Sequence, residues 1–226
     1  MSKRRHLEAA AVRGRIERGD PYWPAQLTVA VVIVVNLALP ERVTAGPSWL
    51  VPGVAAALLV ALAVIAPSRA AEHVRGVRHF ALGVIGLVSL ASLSSLCLLV
   101  HYLVGGGSAG GRELILAGVG LWATNVLLFA VWYWELDRGG PVARFLAPDT
   151  LPDFLFPPMD SPQHSPPGWR PGFVDYLYLS LTNATAFSPT DTMPLTPTAK
   201  LVMALQSVSA LLTIALVVSR AVNILG

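Results

Sequence analysis

Charged residues are scarce in this chain. Asp, Glu, Lys and Arg make up 13% of its 226 residues, whereas hydrophobic residues make up 54%. A soluble domain carries about 25% charged residues, so roughly half of the usual surface charge is missing. The deficit excludes a soluble globular enzyme, a nucleic-acid-binding domain and a disordered chain. With a mean hydropathy of +0.61, the composition instead predicts several membrane spans.

The sequence also lacks cysteine pairs and recognisable catalytic motifs. Its single cysteine, Cys97, lies inside an apolar run, so no intrachain disulfide can form. No zinc-protease, P-loop, dinucleotide-binding or EF-hand pattern occurs. Residues 106–110 match G-x-S-x-G, but the hydrolase elbow needs a strand before the serine, and here a spanning helix precedes it. We therefore predict that the chain is not an enzyme and has no catalytic residue, metal site or cofactor.

Five apolar runs reach the roughly 17–25 residues that a spanning helix needs. They cover residues 23–39, 49–66, 80–104, 114–134 and 199–225. Trp23, Trp49 and Trp134 lie at ends of these runs, where amphipathic rings prefer the headgroup layer. The lipid bilayer is therefore the first predicted partner. The basic tail with the first run can alternatively be interpreted as a signal peptide.

A proline-rich loop, residues 139–172, comes after the fourth run and holds nine of the eighteen prolines. Because proline removes a donor and fixes φ, we predict no regular helix or strand there. Four potential metal ligands have spacings that match no known site: Asp149, Asp153, Asp160 and His164. Four apolar side chains predict a loop packed onto the membrane domain: Phe154, Leu155, Phe156 and Met159.

A short helix and an irregular return precede the last run. Phe173–Phe187 is about fifteen residues long, too short to span comfortably, and its second half is polar. Ser188–Pro197 comes next with three prolines. Non-helical backbone at membrane depth is tolerated only where protein buries it or where it lines a water-filled cavity. This order therefore predicts a re-entrant pore loop.

The predicted fold is an all-α integral membrane protein with five transmembrane helices and a short re-entrant pore helix and loop before the last helix. A basic tail (1–22) precedes three transmembrane helices (23–104), and a pore-module-like region (112–226) comes after them. That region is predicted to contain a helix (112–136), the proline-rich loop (139–172), the re-entrant helix and loop (173–197) and the last helix (198–225).

The order helix, short helix, filter loop, helix resembles the pore module of tetrameric potassium-channel-like proteins. Their loop has the pattern T-T-V-G-Y-G-D-x-x-P-x-T-P, often with a basic residue shortly after it. Six residues fall on matching positions: Thr185, Asp191, Pro194, Thr196, Pro197 and Lys200. The resemblance implies a homotetramer and a permeant inorganic ion. The whole chain also resembles uncharacterised bacterial multi-span membrane proteins with a D-Y-L-Y-x-S-x-T segment, which implies no activity.

The filter departs from that pattern, because residues 186–190 replace T-V-G-Y-G and both glycines are gone. The carbonyl stack that strips potassium of its water needs conformations that glycine readily allows. We therefore predict a non-potassium filter, a wider constriction lined by hydroxyl groups. Its residues are Thr182, Thr185, Ala186, Phe187, Ser188, Pro189, Thr190 and Asp191. The alternative is a buried turn that does not conduct.

Polar residues lie along one face of the last helix, and in the resembling channels this helix lines the cavity. The predicted pore-lining residues are Gln206, Ser209, Thr213 and Arg220. The alternative is interhelical hydrogen bonding, which is common for polar residues in spans. Arg220 can also snorkel to the interface, or form a cationic ring in a tetramer.

The distribution of basic residues predicts the orientation. With five spans, 13 Lys and Arg lie on the side of the N-terminus and 3 on the other, which places the N-terminus in the cytoplasm. If residues 173–188 span instead, Lys200 and Arg220 exchange sides and the count is unchanged. Charge alone therefore does not distinguish five spans from six.

The leading hypothesis is a multi-pass cell-membrane ion channel or channel-like protein, weakly selective for cations. The second is a non-conducting membrane interaction or scaffold protein that keeps the pore fold as architecture. An anion channel and a small-solute transporter are further alternatives, although no internal repeat of span pairs supports the transporter.

Overall fold

The computed structural model describes residues 23–37, 53, 56, 75–104, 111–147, 149–185 and 191–225. The predicted tail (1–22), most of the second predicted span and the five filter residues 186–190 lie outside the described residues. The chain is mostly helical, and the two short strands of its described part form one antiparallel pair.

Among the residues that the structure describes, three helices are long and apolar enough to cross a membrane, as expected for a membrane protein. They are α2 (Arg75–Val104), α3 (Gly111–Leu136) and α7 (Pro197–Leu225). Helix α1 (Trp23–Leu37) is apolar but has 15 residues. Helix α2 begins at Arg75, five residues before the predicted apolar run at Phe80. Its first turn is polar, and a hydropathy pattern therefore does not detect it.

Shorter elements lie between α3 and α7. They are α4 (Pro141–Leu146), β1 (Phe154–Leu155), α5 (Pro157–Asp160), α6 (Phe173–Thr185) and β2 (Met193–Pro194). The prediction of no regular structure in the proline-rich loop is therefore corrected. Helices α4 and α5 begin at prolines, where the missing N–H would have had no partner within the helix.

Helix α3 lies at the centre of the described bundle, and α1, α2, α6 and α7 all pack against it. A larger share of its apolar span is buried (56%) than of α2 (33%) or α7 (28%). Helices α3 and α7 approach closely at Gly118, where an added Cβ would collide with the side chain of Val217. Small residues allow such close backbone approach between apolar helices.

The chain turns sharply after α3, which brings the proline-rich loop back onto the bundle. Three consecutive residues have positive φ: Arg138 (54°), Gly139 (79°) and Gly140 (99°). Glycine adopts this region without steric cost, whereas Arg138 needs support from its surroundings. The backbone N–H of Arg138 donates to Asp153 Oδ2 at 2.8 Å, and this contact supplies part of that support.

Aromatic side chains anchor the proline-rich loop in the core, as the sequence predicts. Phe154 is completely buried, with its ring 5.1 Å from that of Tyr133 in an edge-to-face arrangement. Phe156 is 4% exposed and meets the ring of Tyr176 at 5.2 Å. Such edge-to-face pairs add to the free energy gained from burial alone. The loop is therefore packed against α3 and α6.

Candidate functional site

Helix α6 begins beside the C-terminal end of α3. The carboxylate of Asp175 accepts the N–H of Gly172 at 2.8 Å and so caps the first turn. The Tyr176 hydroxyl donates to Asp137 Oδ2 at 2.6 Å, directly after α3. Burial is the main cause that raises the pKa of the Tyr176 phenol, so this hydroxyl stays protonated and available as a donor.

The other end of α6 lies beside the middle of α3 and α7. Ser180 Oγ donates to the carbonyl oxygen of Val126 at 2.6 Å. Ala184 packs with Val126 and Ala210 in one buried cluster. At 1.5 Å per residue, Val126 lies about 15 Å from Leu136, the last residue of α3, so Ser180 is opposite the middle of that helix. The polar half of α6 is therefore well inside the bundle.

The chain then returns to the end of the bundle where α6 began. Strand β2 pairs antiparallel with β1, with Phe154 opposite Pro194 and Leu155 opposite Met193. The N–H of Leu195 donates to the carbonyl oxygen of Asp153 at 2.8 Å. Asp153 in turn contacts Asp137, whose other carboxylate oxygen binds α6. The entry of α6 and the return of the chain therefore share one end of α3.

Asn183 and Gln206 form the centre of a buried polar network between α3, α6 and α7. Gln206 Nε2 donates to the Ser180 carbonyl at 2.9 Å and to Ser180 Oγ at 2.7 Å. Gln206 Oε1 accepts from the Tyr133 hydroxyl and, at 2.8 Å, from Asn183 Nδ2. Asn183 Oδ1 accepts from Ser207 Oγ at 3.0 Å. These bonds connect all three helices.

A buried ion pair lies at the end of α3. Arg144 Nη1 is 3.8 Å from Asp137 Oδ2, and the two side chains are 5% and 0% exposed. The same nitrogen donates to the carbonyl oxygens of Trp134 at 3.0 Å and Asp137 at 3.1 Å. The guanidinium carbon also lies 5.0 Å from the centre of the Tyr176 ring. Arg144 thus joins α4 to both α3 and α6.

The sequence-predicted loop residues are only partly described. Thr182 Oγ1 bonds to backbone carbonyls of its own helix, and Thr185 Oγ1 donates to the Thr182 carbonyl. Asp191 is exposed at the start of the returning segment. The predicted filter residues 186–190, between Thr185 and Asp191, lie outside the described part of the chain.

Three of the four predicted pore-lining residues of α7 lie inside the protomer. Gln206, Ser209 and Thr213 are 0%, 5% and 2% exposed. Asn125 Nδ2 donates to Ser209 Oγ at 2.6 Å, and Thr213 donates to the Ser209 carbonyl at 2.8 Å. Interhelical hydrogen bonding, the alternative interpretation, therefore describes Gln206 and Ser209. The side chain of Arg220 lies outside the described residues.

A groove of about 480 Å³ lies between α2, α3 and α7. Ser209 and Thr213 line it together with Asn125 of α3, and the rest of the lining is largely apolar. The two α7 residues therefore face the groove between helices rather than the exposed face of α7, which carries Leu201, Val208 and Leu212.

Sequence reasoning misses the residues that hold the site together. No sequence pattern assigns a role in the site to Tyr133, Asp137 or Arg144. A carboxylate directly after a long apolar run, with a cation seven residues later, is the available signal. Among the described residues, no group of three or more His, Cys, Asp or Glu side chains is placed to hold a metal ion.

Comparisons with known proteins yield no relative. No protein-family model matches the chain, and no curated protein or solved structure has significant similarity to it.

Proposed function

We propose that the chain is a multi-pass cell-membrane protein with five spans and a re-entrant pore loop, and that it acts as a channel-like protein with a non-potassium filter. The observation that carries the proposal is the placement of residues 173–185 and 191–196, the described parts on either side of the predicted filter. Helix α6 enters beside Asp137 at the end of α3, and strand β2 returns to the same end through Asp153.

The dimensions of α6 support re-entry rather than spanning. Its 13 residues are about 20 Å long at 1.5 Å per residue, which is short of the roughly 30 Å of a hydrocarbon core. Its inner end lies near Val126, in the middle of α3. Backbone that turns there needs protein or water around it, because lipid offers no hydrogen-bond partners.

Assembly of several copies is part of the proposal, since one pore loop cannot surround an axis. Apolar side chains on α6 are uncovered in the protomer, among them Val174 (73% exposed), Tyr178 (60%) and Leu181 (40%). We assign this face of α6, with the exposed leucines of α7, to contacts between copies. Four copies is the number that the resemblance implies.

Cations are the favoured permeant ions. The C-terminal end of α6 contributes about half a negative charge per subunit through the helix dipole. Asp191 adds a formal charge, and its carboxylate is on an exposed residue rather than in a buried ion pair. The missing glycines argue against potassium selectivity, so sodium and potassium are expected to pass about equally.

Topology is tested by cysteine accessibility in a Cys97→Ser background, because Cys97 is exposed. Single cysteines at Ser2, Ser161 and Gly226 are labelled with a membrane-impermeant maleimide from either side. We expect Ser2 and Ser161 to be labelled from the cytoplasm, because basic residues such as Arg138 lie at that end. Gly226 is expected on the opposite side. Labelling of Gly226 from the same side as Ser2 would exclude the five-span arrangement.

Conduction is tested with purified protein in liposomes, by measuring sodium, potassium and chloride flux. We expect cation flux from the native chain, and a cation preference several-fold weaker for Asp191→Asn. Asp160→Asn is the matched control, since Asp160 is also exposed but lies on the proline-rich loop. Chloride flux that is unchanged in Asp191→Asn and is lost when Arg220 is replaced would show that the pore selects anions.

A non-conducting scaffold protein is the second candidate. The observation that favours it is the buried network of Gln206, Asn183 and Ser180, in which polar groups are bonded inside one protomer and leave no need for water. An absence of flux for every ion tested, from protein that assembles normally, would support this candidate. A monomer or dimer by mass in detergent would exclude the pore itself.

A further inference from the structure

One residue of the proline-rich loop contacts two separate parts of the chain. The backbone N–H of Asp153 donates to Asp137 Oδ1 at 2.8 Å, and its Oδ2 accepts from the Arg138 N–H at 2.8 Å. Its Oδ1 accepts from Thr196 Oγ1 at 2.6 Å, and its carbonyl oxygen accepts from the Leu195 N–H at 2.8 Å. All four polar atoms of Asp153 are therefore engaged.

Two of these contacts hold the turn after α3, and the other two hold the segment that leads into α7. We call residues 151–156 the strap and residues 191–196 the return limb. The two are also joined by the pairing of β1 with β2. The Asp153–Thr196 bond joins residues 43 positions apart, so neither segment can be placed by its own local structure.

Thr196 connects the strap to the start of α7. Its hydroxyl donates to Asp153 and also accepts the N–H of Ala199 at 3.3 Å, in the position of a helix N-cap before Pro197. The position of the strap is therefore linked to the first turn of the helix that comes after the loop.

The strap has a buried inner edge and an exposed outer edge. Phe154 is completely buried against the bundle, whereas Leu151 is 85% exposed. The strap is therefore anchored in the core at one edge and accessible at the other.

We propose that the strap controls the position of the return limb through Asp153, and that the two segments loosen and close as one unit. The assignment of the return limb to a pore loop rests on the proposed function, whereas the coupling of the two segments does not. A displacement of the strap would then be transmitted to the return limb and so to the first turn of α7. This is a conformational device for regulating the return limb from the side of the proline-rich segment.

Hydrogen–deuterium exchange of the full-length protein in lipid nanodiscs tests the coupling. In Asp153→Ala, we expect exchange to become at least about tenfold faster in peptides covering 151–156 and also in peptides covering 191–197. Asp160→Ala is the matched control, because Asp160 is an exposed carboxylate on the same loop, and it should leave both peptides unchanged.

The reciprocal variant changes the other partner. Thr196→Val removes the hydroxyl that binds Asp153, and Thr196→Ser retains it. Because coupling between two sites is reciprocal, Thr196→Val is expected to accelerate exchange in the unaltered strap, and Thr196→Ser is expected to restore native protection. This pair also keeps the proposal testable if Asp153→Ala fails to fold.

Faster exchange confined to the altered segment in both Asp153→Ala and Thr196→Val would overturn the proposal. Coupled exchange in a chain that carries no ions would remove the channel function and leave the coupling intact. Ion flux without coupled exchange would remove the coupling and leave the channel function intact, so the two failures can be told apart.

Discussion

Replacing Arg144 with methionine is expected to destabilise the folded chain by about 3–5 kcal/mol, because Asp137 would then keep a buried charge without its cation. Asp137 is completely buried, and the Nη1 atom that pairs with it also binds the carbonyl oxygens at the end of α3. Methionine preserves most of the apolar stem, so the loss measures the guanidinium rather than the packing.

The measurement is the fraction of monodisperse protein that survives heating in detergent, compared with native protein. Lys200→Met is the matched control, because Lys200 is exposed, and it should have little effect. Combining Arg144→Met with Asp137→Asn removes both charges and retains an acceptor oxygen at position 137, so the double variant should be more stable than Arg144→Met alone. Equal loss in Lys200→Met and Arg144→Met would show that the buried pair makes no special contribution.

Tyr176 gives the Asp137–Arg144 ion pair a second role beyond stability. Its hydroxyl binds Asp137, and Arg144 lies over its ring, so the entry point of α6 is fixed by the same ion pair that holds α4. A change at Arg144 is therefore also a change in how α6 is placed. The stability of the bundle end and the geometry of the candidate pore loop cannot be altered separately at this position.

The helices can be predicted from the sequence because hydropathy and capping are local properties of the chain. The predicted short helix starts at Phe173, as observed, and its described part continues to Thr185; the predicted end at Phe187 lies outside the described residues. The last helix is predicted from residue 198 and begins at Pro197, directly after the capping Thr196. Composition and capping depend on a few neighbouring residues, so these boundaries can be predicted from sequence alone.

The contacts of Asp153 cannot be predicted in this way, because its partners lie far away in the sequence. By spacing alone, Asp153 is one of four potential metal ligands that match no known site, and its bonds to Arg138 and Thr196 arise only in the fold. A carboxylate that accepts backbone and hydroxyl donors leaves no periodic pattern. The same holds for Gln206, whose position on a polar face of α7 fits a pore and an interhelical interface equally well.

Replacing Gln206 with leucine distinguishes those two interpretations. If Gln206 lined water, leucine would alter conduction and leave stability nearly unchanged. The structure predicts the opposite result, because Gln206 is completely buried and binds Ser180, Tyr133 and Asn183. Leucine has similar volume but leaves the Asn183 amide and the Ser180 carbonyl with fewer partners, and an unsatisfied buried group costs about 1–3 kcal/mol.

We therefore expect Gln206→Leu to destabilise the chain by about 2 kcal/mol in thermal unfolding in detergent, with any ion preference in liposomes unchanged. Thr213→Val is the matched control, because Thr213 lies two turns further along the same buried face but donates to the backbone of its own helix. The loss of folding stability in Thr213→Val should be well below that in Gln206→Leu. If Gln206→Leu has native stability and an altered ion preference, Gln206 lines a water-filled pore. The interhelical network would then have to be abandoned as the feature that holds α6 between α3 and α7.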